Sequence, residues 1–167
     1  MDNKICNLRV SDFLKNSIPV KAQIFGSSML PFIRSGDYLV IQPIAREGLR
    51  IGDILAYSHD NKMPIVCHRL VKIENSKLII KGDTRIRGQE RILFDDLLGK
   101  VIVVERGSKK IDLETRFQKA LAVKLAWISL SAPALLYIIA HSIEIVRNPK
   151  IFWHKTKRGF KRFFSLG

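Results

Sequence analysis

Ser28 and His68 are the side chains of this 167-residue chain whose surroundings suit covalent chemistry. Ser28 follows Ile18, Val20, Ala22 and Ile24, which alternate with polar positions as a half-buried strand does, and a Gly26-Ser27 turn. Met29-Leu30-Pro31 comes directly after it, so the spacing predicts a hydroxyl held at a strand end. A serine hydroxyl is a weak nucleophile until a neighbouring base takes its proton. His68 sits in Ile65-Val66-Cys67-His68-Arg69-Leu70, where strand alternation puts Val66 and Leu70 on its own face and Cys67 and Arg69 on the other. An imidazole with an ordinary pKa near 6.5, facing a cleft, can take the serine proton and return it to a leaving amine. Each residue also has a plainer reading: a Gly-Ser-Ser turn packed by Met29 and Pro31, and a satisfied core histidine. His59, His141 and His154 read as surface or interfacial residues, and Arg69 as structural.

Together, GSSMLPFIRSGDYLVIQP from Gly26 to Pro43 and the IVCHRL box resemble the nucleophile and general-base boxes of signal peptidase I and its relatives, in the same order. The resemblance spans roughly residues 18–105. Bacterial-type signal peptidases and the self-cleaving SOS repressors place lysine where His68 stands; histidine resembles the endoplasmic-reticulum and archaeal-like type. The resemblance implies a serine endopeptidase working at a membrane on a peptide or precursor protein, with small residues before the cut and no cofactor. It also implies an acidic group that orients the imidazole. The matching Gly-Asp box is Lys81-Gly82-Asp83, which makes Asp83 the first choice; the later aspartate positions hold Gly88 and Gln89, and Glu90, Asp95 and Asp96 stand as substitutes. An aspartate after glycine also reads as a turn cap. For the oxyanion, the Ser28 N–H is one donor. The second is unassigned, because Gly26 occupies the family's serine position and Ser27 is one residue off. Gly36-Asp37 and Gly52-Asp53 belong to the resemblance and read as structural turns that lead into strands. Two other readings stand beside the peptidase: a self-cleaving regulatory module of the SOS-repressor kind, and a catalytically silent binding domain of the same fold. The ~20 residues before the first strand are too few for the three-helix DNA reader that the regulatory module needs.

The elements that must position these residues are short. Tyr38–Ile41, Ile54–Tyr57, Ile65–Ile73, Leu78–Ile80 and Val101–Val104 are β-like, separated by Ser35-Gly36-Asp37, Gly52-Asp53, His59-Asp60-Asn61-Lys62 and Asn75-Ser76. Many strands without intervening helices predict a mainly β fold, a coiled antiparallel sheet carrying the site, with a helical membrane-associating appendage at the C-terminus. The predicted division is an N-terminal segment over 1–17, a signal peptidase-like catalytic domain over 18–107, and a basic, hydrophobic helical region over 108–167. Val10, Phe13 and Leu14 predict a short helix over 8–16.

Charge separates the appendage from the rest. Residues 1–105 hold 16 Lys and Arg against 12 Asp and Glu, whereas residues 106–167 hold 13 against 3. Leu125 to Ala140 carries no charge, although Lys124 and Pro133 interrupt the wider apolar stretch, and spanning a bilayer takes about 20 apolar residues. Asn148-Pro149 breaks the helical pattern, and IFWHKTKRGFKRFF then interleaves aromatics with cations, the composition of an interfacial helix. An anionic membrane surface is the expected partner, and nucleic acid is not expected. The N-terminus lacks the apolar run of a secretory signal, so no cleavable leader is expected. Cys6 and Cys67 are too few for a disulfide framework, and no cysteine or histidine cluster has metal-ligand spacing.

Overall fold

A computed structural model of the chain describes residues 18–58 and 65–147. The expected helix over 8–16, the turn at 59–62 and the aromatic-basic segment over 151–164 lie outside the described residues. Within them, eight strands form one antiparallel sheet: β1 (Val20–Gln23), β2 (Tyr38–Gln42), β3 (Ile54–Tyr57), β4 (Val66–Glu74), β5 (Lys77–Lys81), β6 (Glu90–Leu93), β7 (Leu97–Arg106) and β8 (Lys109–Asp112). Their order is β1-β2-β7-β3-β4-β5-β6, with β8 paired to the far end of β7. The sheet therefore runs to Asp112, five residues beyond the predicted boundary at 107. β6 and β8 were not among the predicted strands.

Alternation along the strands builds a core on each face of the sheet. Ile54 and Ala56 of β3, Cys67 of β4 and Val101 and Val104 of β7 join Met29, Ile33, Leu39 and Ile41 in one. Leu55 and Tyr57 of β3 and Leu70 of β4 join Leu49, Leu78, Ile80 and Ile92 in the other. Register shifts between Val40 and Ile41, Ala56 and Tyr57, and Leu70 and Lys72 bend the sheet so that both sets bury their apolar area.

After the sheet come two helices, α1 (Arg116–Ser131) and α2 (Pro133–Arg147). Thr115 caps α1, its hydroxyl accepting a bond from the Gln118 N–H at 3.3 Å. Pro133 ends it, because proline has no N–H to give to the carbonyl four residues back, at Ser129. The buried Lys81 ammonium at the end of β5 donates to that carbonyl instead. A cation there also suits the negative end of the helix. Ala126 packs on Val71 and Ile79 of the sheet. The first half of the predicted appendage is thus part of the folded domain, and α1 shares its buried face with β4 and β5.

No single helix among the described residues is long and apolar enough to cross a membrane, and α1 and α2 are bent 114° from one another. Their outward faces carry Phe117, Val123, Trp127 and Leu130 on α1 and Leu135, Ile138, Ile139 and Val146 on α2, all exposed.

Gly52 sets how close α1 comes. Its φ is +99°, in the left-handed region, and a Cβ there would lie 2.6 Å from the Ala122 carbonyl carbon. Gly52→Ala is expected to cost roughly 1–3 kcal/mol from backbone strain alone. Thermal unfolding should register the loss, and hydrogen exchange over residues 116–131 should rise with it. An unchanged melting temperature would mean that α1 does not dock on this turn.

Candidate active site

Ser28 occupies the turn between β1 and β2, and Gly26, at φ +135°, reverses the chain just before it. The turn is closed by local bonds, Leu30 N–H to Ser27 O at 3.3 Å and Ile33 N–H to Met29 O at 2.9 Å. Its far end is tied down by Asp37. The Asp37 carboxylate accepts from the Arg34 N–H at 2.8 Å and from Arg106 of β7 at 2.9 and 2.6 Å. Burial opposes ionisation of Asp37, but the bonds from Arg106 and Arg34 outweigh it and hold the carboxyl below its ordinary value. Gly36-Asp37 is structural, as its sequence suggests; so is Gly52-Asp53, where Asp53 accepts from the Arg50 N–H at 2.8 Å.

The segment 81–84 presses on Ser28 from the other side. Thr84 donates its N–H to Ser28 O at 2.9 Å and its hydroxyl to Ser27 O at 3.0 Å. Gly82 fits against the serine with no room to spare: a Cβ on it would sit 3.0 Å from both the Ser28 Cβ and the Ser28 carbonyl oxygen.

His68 lies near the start of β4 and is 1% exposed. Its Nε2 lies 3.2 Å from Ser28 Oγ, so the structure brings together the two residues singled out for nucleophile and base. On its other nitrogen, Nδ1 is 3.1 Å from the Tyr57 hydroxyl and 3.4 Å from Glu90 Oε1. The Tyr57 hydroxyl in turn donates to Glu90 Oε2 at 2.6 Å. Burial is the main influence on the imidazole and lowers its pKa below the ordinary value; Arg85 adds to this, while Glu90 and Asp83 pull the other way. The ring is therefore neutral at neutral pH, the state a general base needs.

The third sequence candidate stands elsewhere. Both oxygens of Asp83 accept from Arg69, from Nε at 2.8 Å and Nη2 at 2.7 Å, and Arg69 Nη1 donates to Gly52 O at 2.9 Å. The expectation that Asp83 orients the imidazole gives way to this geometry: the carboxylate against Nδ1 is Glu90, one of the three substitutes. Asp95 and Asp96 lie in the short turn ahead of β7, where Asp96 accepts from the Leu93 N–H at 3.2 Å. Arg69 is structural, as its position on the opposite face of β4 predicts.

Tyr57 was not among the sequence candidates. Leu55 pairs with His68 and Tyr57 with Val66, so Tyr57 and His68 are diagonal neighbours on one face, an arrangement legible only once register is known. Beside Ser28 a largely apolar cleft opens between residues 24–26 and 65–67, lined by Ile24, Phe25, Met29, Ile33, Ile65 and Val66. Cys67 also reaches it, but burial pushes its thiol up to about 12, so it is not a competing nucleophile. Among the described residues no three His, Cys, Asp or Glu side chains are grouped so as to hold a metal ion. In comparisons with known proteins, no protein-family model matches the chain and no curated protein matches it.

Two substitutions separate positioning from stability. Gly82→Ala should shift Ser28 by a few tenths of an ångström and lower its reaction with a fluorophosphonate probe about tenfold, since small misplacements of reacting groups are costly. Asp83→Ala should instead destabilise the protein by roughly 3–5 kcal/mol in urea titration, because it strands the buried Arg69 guanidinium. A Gly82→Ala protein with full probe reactivity would show that this contact does not set the serine.

Proposed function

We propose that the protein is a membrane-associated serine endopeptidase of the signal peptidase I kind, with Ser28 as nucleophile and His68 as general base. The observation that carries this reading is the 3.2 Å approach of His68 Nε2 to Ser28 Oγ in a buried setting that keeps the ring neutral. As the Ser28 oxygen attacks a peptide carbonyl carbon, its proton passes to Nε2. The resulting oxyanion lies within reach of the Ser28 N–H, the donor expected at that position. Collapse of the tetrahedral intermediate breaks the C–N bond, and His68 returns the proton to the departing amine. Water, activated by the same nitrogen, then hydrolyses the acyl-enzyme and frees Ser28. The cleft between residues 24–26 and 65–67 would take small apolar side chains on the acyl side of the cut. An extended substrate lying there can pair with strand backbone on either side.

The helices support the membrane association. The exposed apolar residues of α1 and α2 stand next in sequence to seven cations between Arg147 and Arg162. An apolar face and a basic cluster reinforce one another at an anionic surface. The substrate class is then a precursor protein or signal peptide presented at that surface.

Ser28→Ala and His68→Ala should each abolish cleavage and probe labelling, and the double variant should be no worse, since the pair acts as a unit. Near-wild-type labelling in either single variant would leave a silent binding domain as the better reading. The acid limb of the pH profile should lie below the ordinary histidine value of about 6.5, because burial keeps His68 unprotonated there. The full-length protein should sediment with vesicles that contain anionic lipid and resist extraction by high salt. Full recovery in the supernatant would overturn the membrane assignment and the precursor substrate with it.

A further inference from the structure

Two side chains behind the histidine have no part in the scheme above. Tyr57 is fully buried at the end of β3, and Glu90 opens β6 with its side chain partly open to solvent. We propose that Tyr57 and Glu90 form a single positioning unit that holds His68 as the Nδ1–H tautomer, leaving Nε2 unprotonated towards Ser28. The inference rests on the Ser28–His68 reading for its catalytic meaning, but its geometry stands independently.

The argument is a proton count. A hydroxyl has one proton to donate. Tyr57 directs it to Glu90 Oε2 at 2.6 Å, a shorter contact than the one to Nδ1, and an ionised carboxylate can only accept. The Tyr57 oxygen therefore faces Nδ1, 3.1 Å away, with a lone pair. Glu90 Oε1, 3.4 Å from the same nitrogen, is an acceptor as well. Among the described residues two acceptors converge on Nδ1 and no donor does, so the ring proton belongs there, and Nε2 is left to accept from Ser28. Burial first, then the Glu90 bond and charge, push the Tyr57 hydroxyl well above its ordinary pKa, so it stays a donor throughout the working range. The other charges facing the imidazole leave this count unchanged. Arg85 pairs with Glu90 at 3.5 Å from the solvent side, and Asp83 is fully engaged by Arg69.

The carboxylate and the hydroxyl make different predictions. In Glu90→Gln the new amide can donate to the Tyr57 oxygen, which turns the Tyr57 proton towards Nδ1 and favours the wrong tautomer. In Tyr57→Phe the carboxylate still accepts directly, so the tautomer is weakened rather than inverted. The expected order of damage is Glu90→Gln beyond Tyr57→Phe, with kcat falling about tenfold or more in the former and KM little changed. The pH profile supplies a reading that a merely structural role would not move: losing the Glu90 charge should carry the acid limb to lower pH, and further than Asp83→Asn does.

Nitrogen-15 NMR of the histidine rings in the full-length protein in detergent micelles tests the unit without any substrate. Wild type should show His68 as Nδ1–H, and Glu90→Gln should convert it largely to Nε2–H. An Nε2–H ring in wild type, or a tautomer indifferent to both substitutions, would overturn the proposal. A wild-type Nδ1–H ring that responds to Glu90→Gln, in a protein whose Ser28 takes no probe, would instead uphold the positioning unit and defeat the peptidase reading.

Discussion

Gly82 packs so closely on Ser28 that a Cβ there would force the serine to give way by a few tenths of an ångström, and the placement of Ser28 depends on that contact. The three residues at the end of β5 each hold a different part of the molecule. Lys81 donates to the carbonyl that Pro133 leaves unpaired at the end of α1, Gly82 backs Ser28, and Asp83 neutralises the buried Arg69. β5 ends at Lys81 and the chain turns at Gly82-Asp83, so one short segment can serve a helix through its first residue and an ion pair through its last. The backbone between them is then fixed from both directions. A small residue is needed at the centre for the same reason: the serine is held by contact with main chain, which has no rotamers to lose.

His68 shows the opposite economy, a polar group placed where water is nearly excluded. Removing an imidazole from water disfavours its charged form, and the role of general base proposed for His68 would gain from that. The same burial would make the transient imidazolium costly if nothing answered it. Glu90 answers it from 3.4 Å, with a side chain that is 29% exposed. The balance is between a dry ring and a wet carboxylate, with a tyrosine hydroxyl between them.

How much of this was legible in the sequence follows from which signals are local. Ile54-Leu55-Ala56-Tyr57 gave the bounds of β3 as observed, and β4 and β5 fell within a residue of their observed ends, because their apolar runs are buried on both faces. β6 and β8 escaped because edge strands bury little: Ile92 is the one buried side chain of Glu90-Arg91-Ile92-Leu93, and Lys109-Lys110-Ile111-Asp112 has none. The pairing of Ser28 with His68 could be read because each is flanked by its own pattern. The acidic partner could not, since Asp83 and Glu90 are seven residues apart and only the turn between β5 and β6 decides which of them reaches Nδ1. Likewise, composition marked the tail as helical and Pro133 as its break, but the docking of α1 on the sheet is set by Gly52, whose small size carries no meaning until Ala122 is beside it.

The strand order has a consequence for how the site comes into being. Ser28 belongs to the β1–β2 hairpin and His68 to the meander β3–β4–β5–β6, and no strand of the first group pairs with a strand of the second. Among the strand ladders they are joined through β7, which pairs with β2 along one stretch and with β3 along another, while the Thr84 bonds to Ser27 and Ser28 tie the β5–β6 connection to the same hairpin. A chain emerging from the ribosome can therefore complete both halves and still lack the ladder that welds them. Pairings this distant in sequence form late, because loop closure must precede their reward. The ladder that sets the Ser28 hydroxyl beside the His68 imidazole is thus completed by residues 97–106, so the spacing of the two side chains is fixed by a strand that contains neither.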